Sequence, residues 1–141
     1  MLDLADVQKP VTGAPPRRIQ LSRAKGWRMP PNTVKVDRST PFGNPWYVGP
    51  GRVKLAPGCV CQIGPEITAR GAVDRFRRWL LGEFENQRGD MIRHPIYGCV
   101  PSPRIKPDVT ALRGKDLACW CKPGAPCHAD VLLELANAPP Q

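Results

Sequence analysis

Residues 116–138 constrain the fold most, because they predict a strand, a tight loop and a helix in immediate succession. "DLACW", residues 116–120, is apolar on both faces, which is typical of a strand inside a sheet. "KPGAP", residues 122–126, consists of turn residues. "CHADVLLELANA", residues 127–138, predicts a final helix from its apolar spacing. A buried strand that leads through a short loop into a helix is typical of α/β proteins.

Two strands and a longer helix are predicted upstream of that segment. Ile19 and Leu21 alternate with polar residues, and Val34 and Val36 do the same, which predicts two short strands. Residues 53–64 suit a short hairpin or an extended loop. Residues 65–87 predict a helix whose apolar face consists of Ala72, Val73, Phe76, Trp79, Leu80 and Phe84.

These elements predict a single α/β domain, in which a small sheet has flanking helices and long proline-rich loops. Proline contributes 18 of the 141 residues, well above the usual ~5%. We expect residues 1–16 to form a flexible leader, residues 17–138 the α/β domain, and residues 139–141 a tail.

The charge of the chain indicates an anionic partner. Lysine and arginine number 21 against 12 aspartates and glutamates, for a net charge of +9. We therefore expect a nucleotide or nucleic acid as partner, with solubility alone as the alternative. No membrane partner is expected, because no basic amphipathic helix carries a bulky apolar face free for lipid, and no apolar stretch approaches the ~20 residues that span a bilayer. No signal-peptide pattern is visible at residues 1–18, so we expect a cytoplasmic location, where thiols stay reduced.

Cys127 and His128 form the first candidate site and are predicted to be catalytic. They open the final helix, where unpaired N–H groups and the helix dipole favour a thiolate, so we expect the pKa of Cys127 to fall. His128 could act as a proton donor, base or phosphate contact. Asp130 is a candidate substrate-binding residue or, alternatively, only a cap of the first turn.

Cys119 and Cys121 form the second candidate site and are predicted metal ligands. Their side chains share one face of the strand, and Trp120 on the other face is expected to pack in the core. Zinc is a possible cofactor, although adjacent residues in a helix diverge by about 100°, so both members of the Cys-His pair are not expected on one ion. The "CVC" pair at residues 59–61 could complete a four-thiolate site. Burial as small hydrophobic residues is the alternative for all of these thiols.

The loop "RSTPFGNPW", residues 38–46, is a candidate wall of the pocket that faces Cys127. Gly43 permits close backbone approach, and an asparagine side chain offers both a donor and an acceptor. A purely structural turn is the alternative. The predicted substrate-binding residues, besides Asp130, are Arg23, Lys25, Arg38 and Asn44.

The sequence resembles a family of small, uncharacterised bacterial and phage-encoded proteins that is classified as a domain of unknown function. The resemblance rests on "RIQLSRAKGWRMP", "VKVDRSTPFGNPW", "AVDRFRRWL" and "LRGKDLACWCKPGAPCHADVLLELAN", which together span residues 18–137. The "GCVCQ" segment and Cys99 look like local additions to the family pattern, which weighs against a four-thiolate site. The positions that the family pattern emphasises are Gly26, Trp27, Pro30, Asp37, Gly43, Asn44, Pro45, Cys119, Trp120, Cys121, Cys127, His128, Asp130 and Leu132.

The sequence is compatible with three functions. The first is a small bacterial or phage accessory protein that binds or processes a nucleotide or nucleic acid through the Cys-His site. The second is a non-catalytic nucleic-acid-binding module, stabilised by zinc in one variant. The third is an accessory protein that binds a host protein or a signalling nucleotide through exposed Trp27, Trp46 and Tyr47.

Overall fold

The computed structural model describes residues 15–49, 51–64, 66–84 and 98–138. The expected tail and all but the last two residues of the expected leader lie outside these ranges. Strands β1 to β6 are Arg18–Gln20, Thr33–Lys35, Trp46–Tyr47, Arg52–Ala56, Cys59–Gln62 and Asp116–Cys119. The helices are α1 (Ala69–Leu80), two 3₁₀ helices (Pro103–Ile105 and Val109–Leu112) and α2 (His128–Ala136).

A parallel three-stranded sheet is built around β6. The strand order is β1-β6-β2, with Ile19 and Lys35 both paired with Ala118. Leu117, Ala118 and Cys119 are buried, so the prediction of an internal strand is confirmed. The strands β1 and β2 also fall where the alternating pattern predicts them. Since both neighbours are parallel to β6, the carboxyl ends of all three strands meet at one edge of the sheet.

A second, antiparallel sheet has the strand order β3-β4-β5. Of the two readings for residues 53–64, the hairpin is the correct one, and β4 and β5 turn at Pro57 and Gly58. Gly51 is required at the start of β4, because its φ is +69° and an added Cβ would lie 2.2 Å from the carbonyl oxygen of Gly64. Two small sheets with helices confirm the α/β class.

Helix α1 is shorter than the sequence predicts at both ends. Thr68 is its N-cap, and its side chain accepts a hydrogen bond from the Gly71 N–H. Chain reversal at Gly82, whose φ is +82°, follows the helix end. The predicted apolar face does form the core contact, with Ala72, Phe76 and Trp79 buried. Pro65, expected in the first turn, lies outside the described residues.

The core joins both sheets and both helices, and aromatic contacts within it link the antiparallel sheet to α1 and α1 to α2. Trp46 packs edge-on against Trp79, with ring centroids 6.2 Å apart. Trp46 is 0% exposed, because β3 packs this side chain against Trp79 of α1. Its predicted role in an exposed contact surface is therefore wrong. Among the described residues, no helix is long and apolar enough to cross a membrane.

Candidate functional site

Three cysteines converge at the carboxyl edge of the parallel sheet. Cys119 ends β6, Cys121 follows two residues later, and Cys127 is the N-cap of α2. Their sulfur atoms all lie within 4.8 Å of one another, and those of Cys119 and Cys127 are 3.1 Å apart. The expected separation into a strand pair and a helix pair is therefore not what the structure shows, since Cys127 joins the strand cysteines.

The extended backbone of Cys127 brings its sulfur to the strand cysteines. As N-cap it has φ −150° and ψ 140°, so it lies outside the helical geometry on which the expected 100° divergence from His128 was based. Its sulfur accepts a weak hydrogen bond from the Ala129 N–H at 3.5 Å. The side chain thus turns back toward β6 while His128 begins the helix.

The three thiols divide their protons unequally. Hydrogen bonds from the thiols of Cys119 and Cys127 lower the pKa of Cys121, and the charge of Arg18 adds to this. The pKa of Cys127 is raised by its hydrogen bonds with Cys119 and Cys121 and by burial. The expected fall in the Cys127 pKa is therefore wrong, because these contacts outweigh the single N–H bond from the helix start. Hydrogen bonding with Cys121 raises the pKa of Cys119 as well.

His128 is buried beside the cluster with one ring nitrogen committed. Its Nε2 lies 2.6 Å from the carbonyl oxygen of Val36, and a carbonyl can only accept, so Nε2 carries the proton. Burial lowers the pKa of His128, which favours the neutral ring. Nδ1 is then left with its lone pair, 3.8 Å from the Cys127 sulfur.

Arg18 fixes the loop between Cys121 and Cys127, and sequence analysis missed it. Its guanidinium donates to the carbonyl oxygens of Lys122 and Ala125, both at 2.9 Å. It also pairs with Asp130 at 3.0 Å, so this predicted substrate-binding carboxylate is engaged with an arginine in the structure. The only sequence signal for Arg18 was its place in the basic segment around β1.

A cavity of about 270 Å³ opens onto the three sulfur atoms. Arg38 donates to the backbone carbonyls of Asn44 and Trp46, and Asn44 donates to the carbonyl of Ala72. The structure thus brings two predicted substrate-binding residues, Arg38 and Asn44, to the cavity beside the thiols. Both side chains also hold the loop of residues 38–46 in place. The cavity is lined by Asp37, Arg38, Ser39, Asn44, Val48, Ala69, Ala72, Val73, Cys119, Trp120, Cys121, Pro126, Cys127 and His128.

Trp120 lies at the mouth of the site instead of in the core. It is 38% exposed, because the chain has left β6 at this point, and its Nε1 donates to Asp37 at 2.8 Å. The guanidinium of Arg23 stacks on its ring at 4.2 Å. Burial alone would raise the pKa of Asp37, but hydrogen bonds from Ser39 and Trp120 outweigh it and the pKa is lowered.

The remaining predicted residues lie away from the thiols. Lys25 is exposed in the loop after β1 and does not line the cavity beside the thiols. Cys59 and Cys61 lie on β5 of the second sheet and are absent from the metal-ligand cluster of the described residues. The structure therefore gives no support to a four-thiolate site.

The fold and the site define a small α/β domain with a three-cysteine cluster that could hold a metal ion. The chain belongs to the family described as Domain of unknown function (DUF4326), which matches residues 19–138. Neither the curated proteins nor the solved structures give a significant match.

Proposed function

We propose that the chain is a zinc-dependent domain that binds and processes a nucleotide, either free or within a nucleic acid. The observation that carries the proposal is the convergence of the three sulfur atoms on one cavity at the sheet edge. The bacterial or phage origin and the cytoplasmic location expected from the sequence are part of this proposal.

Zinc suits the cluster because of its ligand type and geometry. Soft thiolates select zinc, copper(I) or iron–sulfur centres, and a tetrahedral zinc with bonds of about 2.3 Å places its sulfur ligands about 3.8 Å apart. The three sulfurs, within 4.8 Å of one another, reach that spacing by small rotations. Three thiolates give a zinc centre one net negative charge, and Arg18 lies close enough to lower the pKa of Cys121.

Three protein ligands favour a site with an open fourth position. Catalytic zinc sites have three protein ligands, whereas structural sites have four. Zinc with an open position lowers the pKa of a bound water and polarises a substrate oxygen. The open position would face the cavity, where hydrolysis of an N-glycosidic or phosphate-ester bond is the reaction class that we propose.

A closed zinc site in a binding module is the second candidate. The Nδ1 lone pair of His128 lies 3.8 Å from the Cys127 sulfur, and a metal-binding histidine commonly donates its other N–H to a backbone carbonyl. His128 would act as the fourth ligand after a shift toward Cys119 and Cys121, because the ligand atoms within 4.8 Å of one another are those of the three cysteines. Removal of zinc separates the candidates: an open site leaves the fold intact, whereas a closed structural site unfolds on chelation.

Metal analysis of the purified full chain tests the zinc proposal. We expect one zinc per chain in the wild type and in Cys59→Ser, because Cys59 is exposed on β5. Cys121→Ser should lose most of the metal, because only two thiolates remain. Absence of zinc from wild-type protein that was expressed and reconstituted with it would overturn the proposal.

Binding of a labelled single-stranded oligonucleotide tests the anionic partner. The net charge of +9 predicts affinity that falls with salt, by about seven-fold between 50 and 200 mM for two phosphate contacts with a single strand. Fluorescence anisotropy across that range measures the slope. Binding that does not respond to salt would reject a phosphate-directed contact.

A further inference from the structure

A second and larger cavity, of about 530 Å³, adjoins the thiol site and contains no cysteine. It shares Arg38, Ser39 and Asn44 with the first cavity. Its other walls come from β3, from β4, from α1 and from the first 3₁₀ helix. Its volume falls in the range of about 300–1,000 Å³ that is common for small-molecule sites.

The lining of this basic cavity carries positive charge without any carboxylate. Its four basic residues are Arg38, Lys54, Arg104 and Lys106, and no aspartate or glutamate lines it. The guanidinium of Arg38 contacts neutral groups, namely two backbone carbonyls and the ring of Tyr47. Within the part of the chain that the structure describes, Arg38, Lys54 and Arg104 form no ion pair. Such a cavity concentrates anions.

One partly buried cation, Lys106, and one buried indole, that of Trp79, line the basic cavity. Burial lowers the pKa of Lys106, so the protein itself destabilises this positive charge. The indole Nε1–H of Trp79, which also lines the cavity, is buried without a hydrogen-bond partner among the described residues. An anionic ligand would stabilise the lysine charge.

We propose that the basic cavity binds the phosphate groups of a mononucleotide. That the ligand is a nucleotide rests on the proposed function, whereas the phosphate site rests on the cavity alone. Tyr47 and the prolines of the wall offer apolar surface for a base or sugar. A cavity bounded by several segments suits a small ligand better than a continuous strand.

Isothermal titration of the full chain with pyrophosphate and with adenosine triphosphate tests the site. We expect both to bind, and the double variant Arg104→Gln/Lys106→Gln to bind at least ten-fold more weakly, because two charge-assisted contacts are lost. Lys54→Gln, on a different element, should weaken binding in the same direction. Arg28→Gln is the matched control: it removes one charge from an exposed position outside both cavities and should leave the affinity unchanged.

Three results would overturn this inference. The first is absence of binding by both probes. The second is a loss of affinity in Arg28→Gln equal to that in Lys54→Gln, which would indicate that only the overall charge matters. The third is binding of an oligonucleotide without binding of either small probe. Because the basic cavity contains no thiol, folded Cys121→Ser should keep the wild-type affinity even where it loses zinc, so the two proposals fail separately.

Discussion

The cysteine cluster depends on backbone details at single residues. The sequence predicted that Cys119 and Cys121 would lie together, and their sulfur atoms do lie within 4.8 Å of each other, although Cys121 lies beyond the end of β6. The position of Cys127 could not be predicted, because the N-cap has extended dihedral angles that the spacing of residues does not reveal. The prediction that Trp120 packs in the core was wrong for a related reason. Because β6 ends at Cys119, the alternation of side chains along the strand does not extend to Trp120.

Replacement of Arg18 by lysine should loosen the loop between Cys121 and Cys127. Lysine keeps the charge but loses the planar fork that bonds two carbonyls and Asp130 at once. We expect a loss of roughly 1.5–3 kcal/mol in unfolding free energy and weaker zinc binding, measured by urea denaturation and metal competition.

Arg17→Lys provides the matched control for Arg18. The Arg17 side chain is 71% exposed and its ion pair with Asp116 is 3.5 Å long, so little change is expected. Equal effects of the two substitutions would contradict the positioning role of Arg18.

Asp37 should make the stability of the protein sensitive to acid. Its folded-state pKa is lowered below 3.8, so its ionised form stabilises the fold above that value. This contribution is lost as the pH falls through the lower folded-state pKa. We expect the difference in stability between wild type and Asp37→Asn to shrink below about pH 4. Thermal unfolding of both proteins between pH 6 and 2.5 measures this difference. A difference that stays constant or grows toward low pH would count against this account.

At the scale of elements, periodicity located the helices and strands better than it located their ends. The apolar face of α1 was predictable, but its start at Thr68 and its end before Gly82 depend on capping and on a left-handed turn. The hairpin of β4 and β5 was left open, because its alternation is interrupted by a bulge near Lys54. Loops that carry candidate binding residues were recognisable only by composition.

The loop that connects β2 to β3 requires glycine at position 43. A Cβ there would lie 2.6 Å from the Arg38 Cα and 2.8 Å from the Asp37 carbonyl oxygen. We expect Gly43→Ala to destabilise the fold by more than about 2 kcal/mol and to displace Arg38 from both cavities. Gly64→Ala is the control, because a Cβ at that position meets no atom within 4 Å. Chemical denaturation compares the two, and a Gly43→Ala loss no larger than that of Gly64→Ala would refute the prediction.

At the scale of the whole molecule, the order of elements predicted the α/β class, and the charge predicted an anionic partner that is still a proposal. The sequence could not show the basic cavity, because its cations come from residues as far apart as Arg38 and Lys106. It also did not show that the arginines of α1 are partly paired: Arg77 bonds Glu134 of α2 at 2.7 Å. Contacts between distant segments need the tertiary structure, whereas local patterns do not.

X-ray absorption at the zinc edge of the reconstituted full chain tests the central claim most directly. Three cysteine ligands predict three sulfur neighbours at about 2.3 Å and one nitrogen or oxygen at about 2.0–2.2 Å. The sulfur count should fall in Cys121→Ser and remain at three in Cys59→Ser. A shell of nitrogen and oxygen alone, or a sulfur shell that Cys121→Ser leaves unchanged, would contradict the assignment of the cluster as a zinc site.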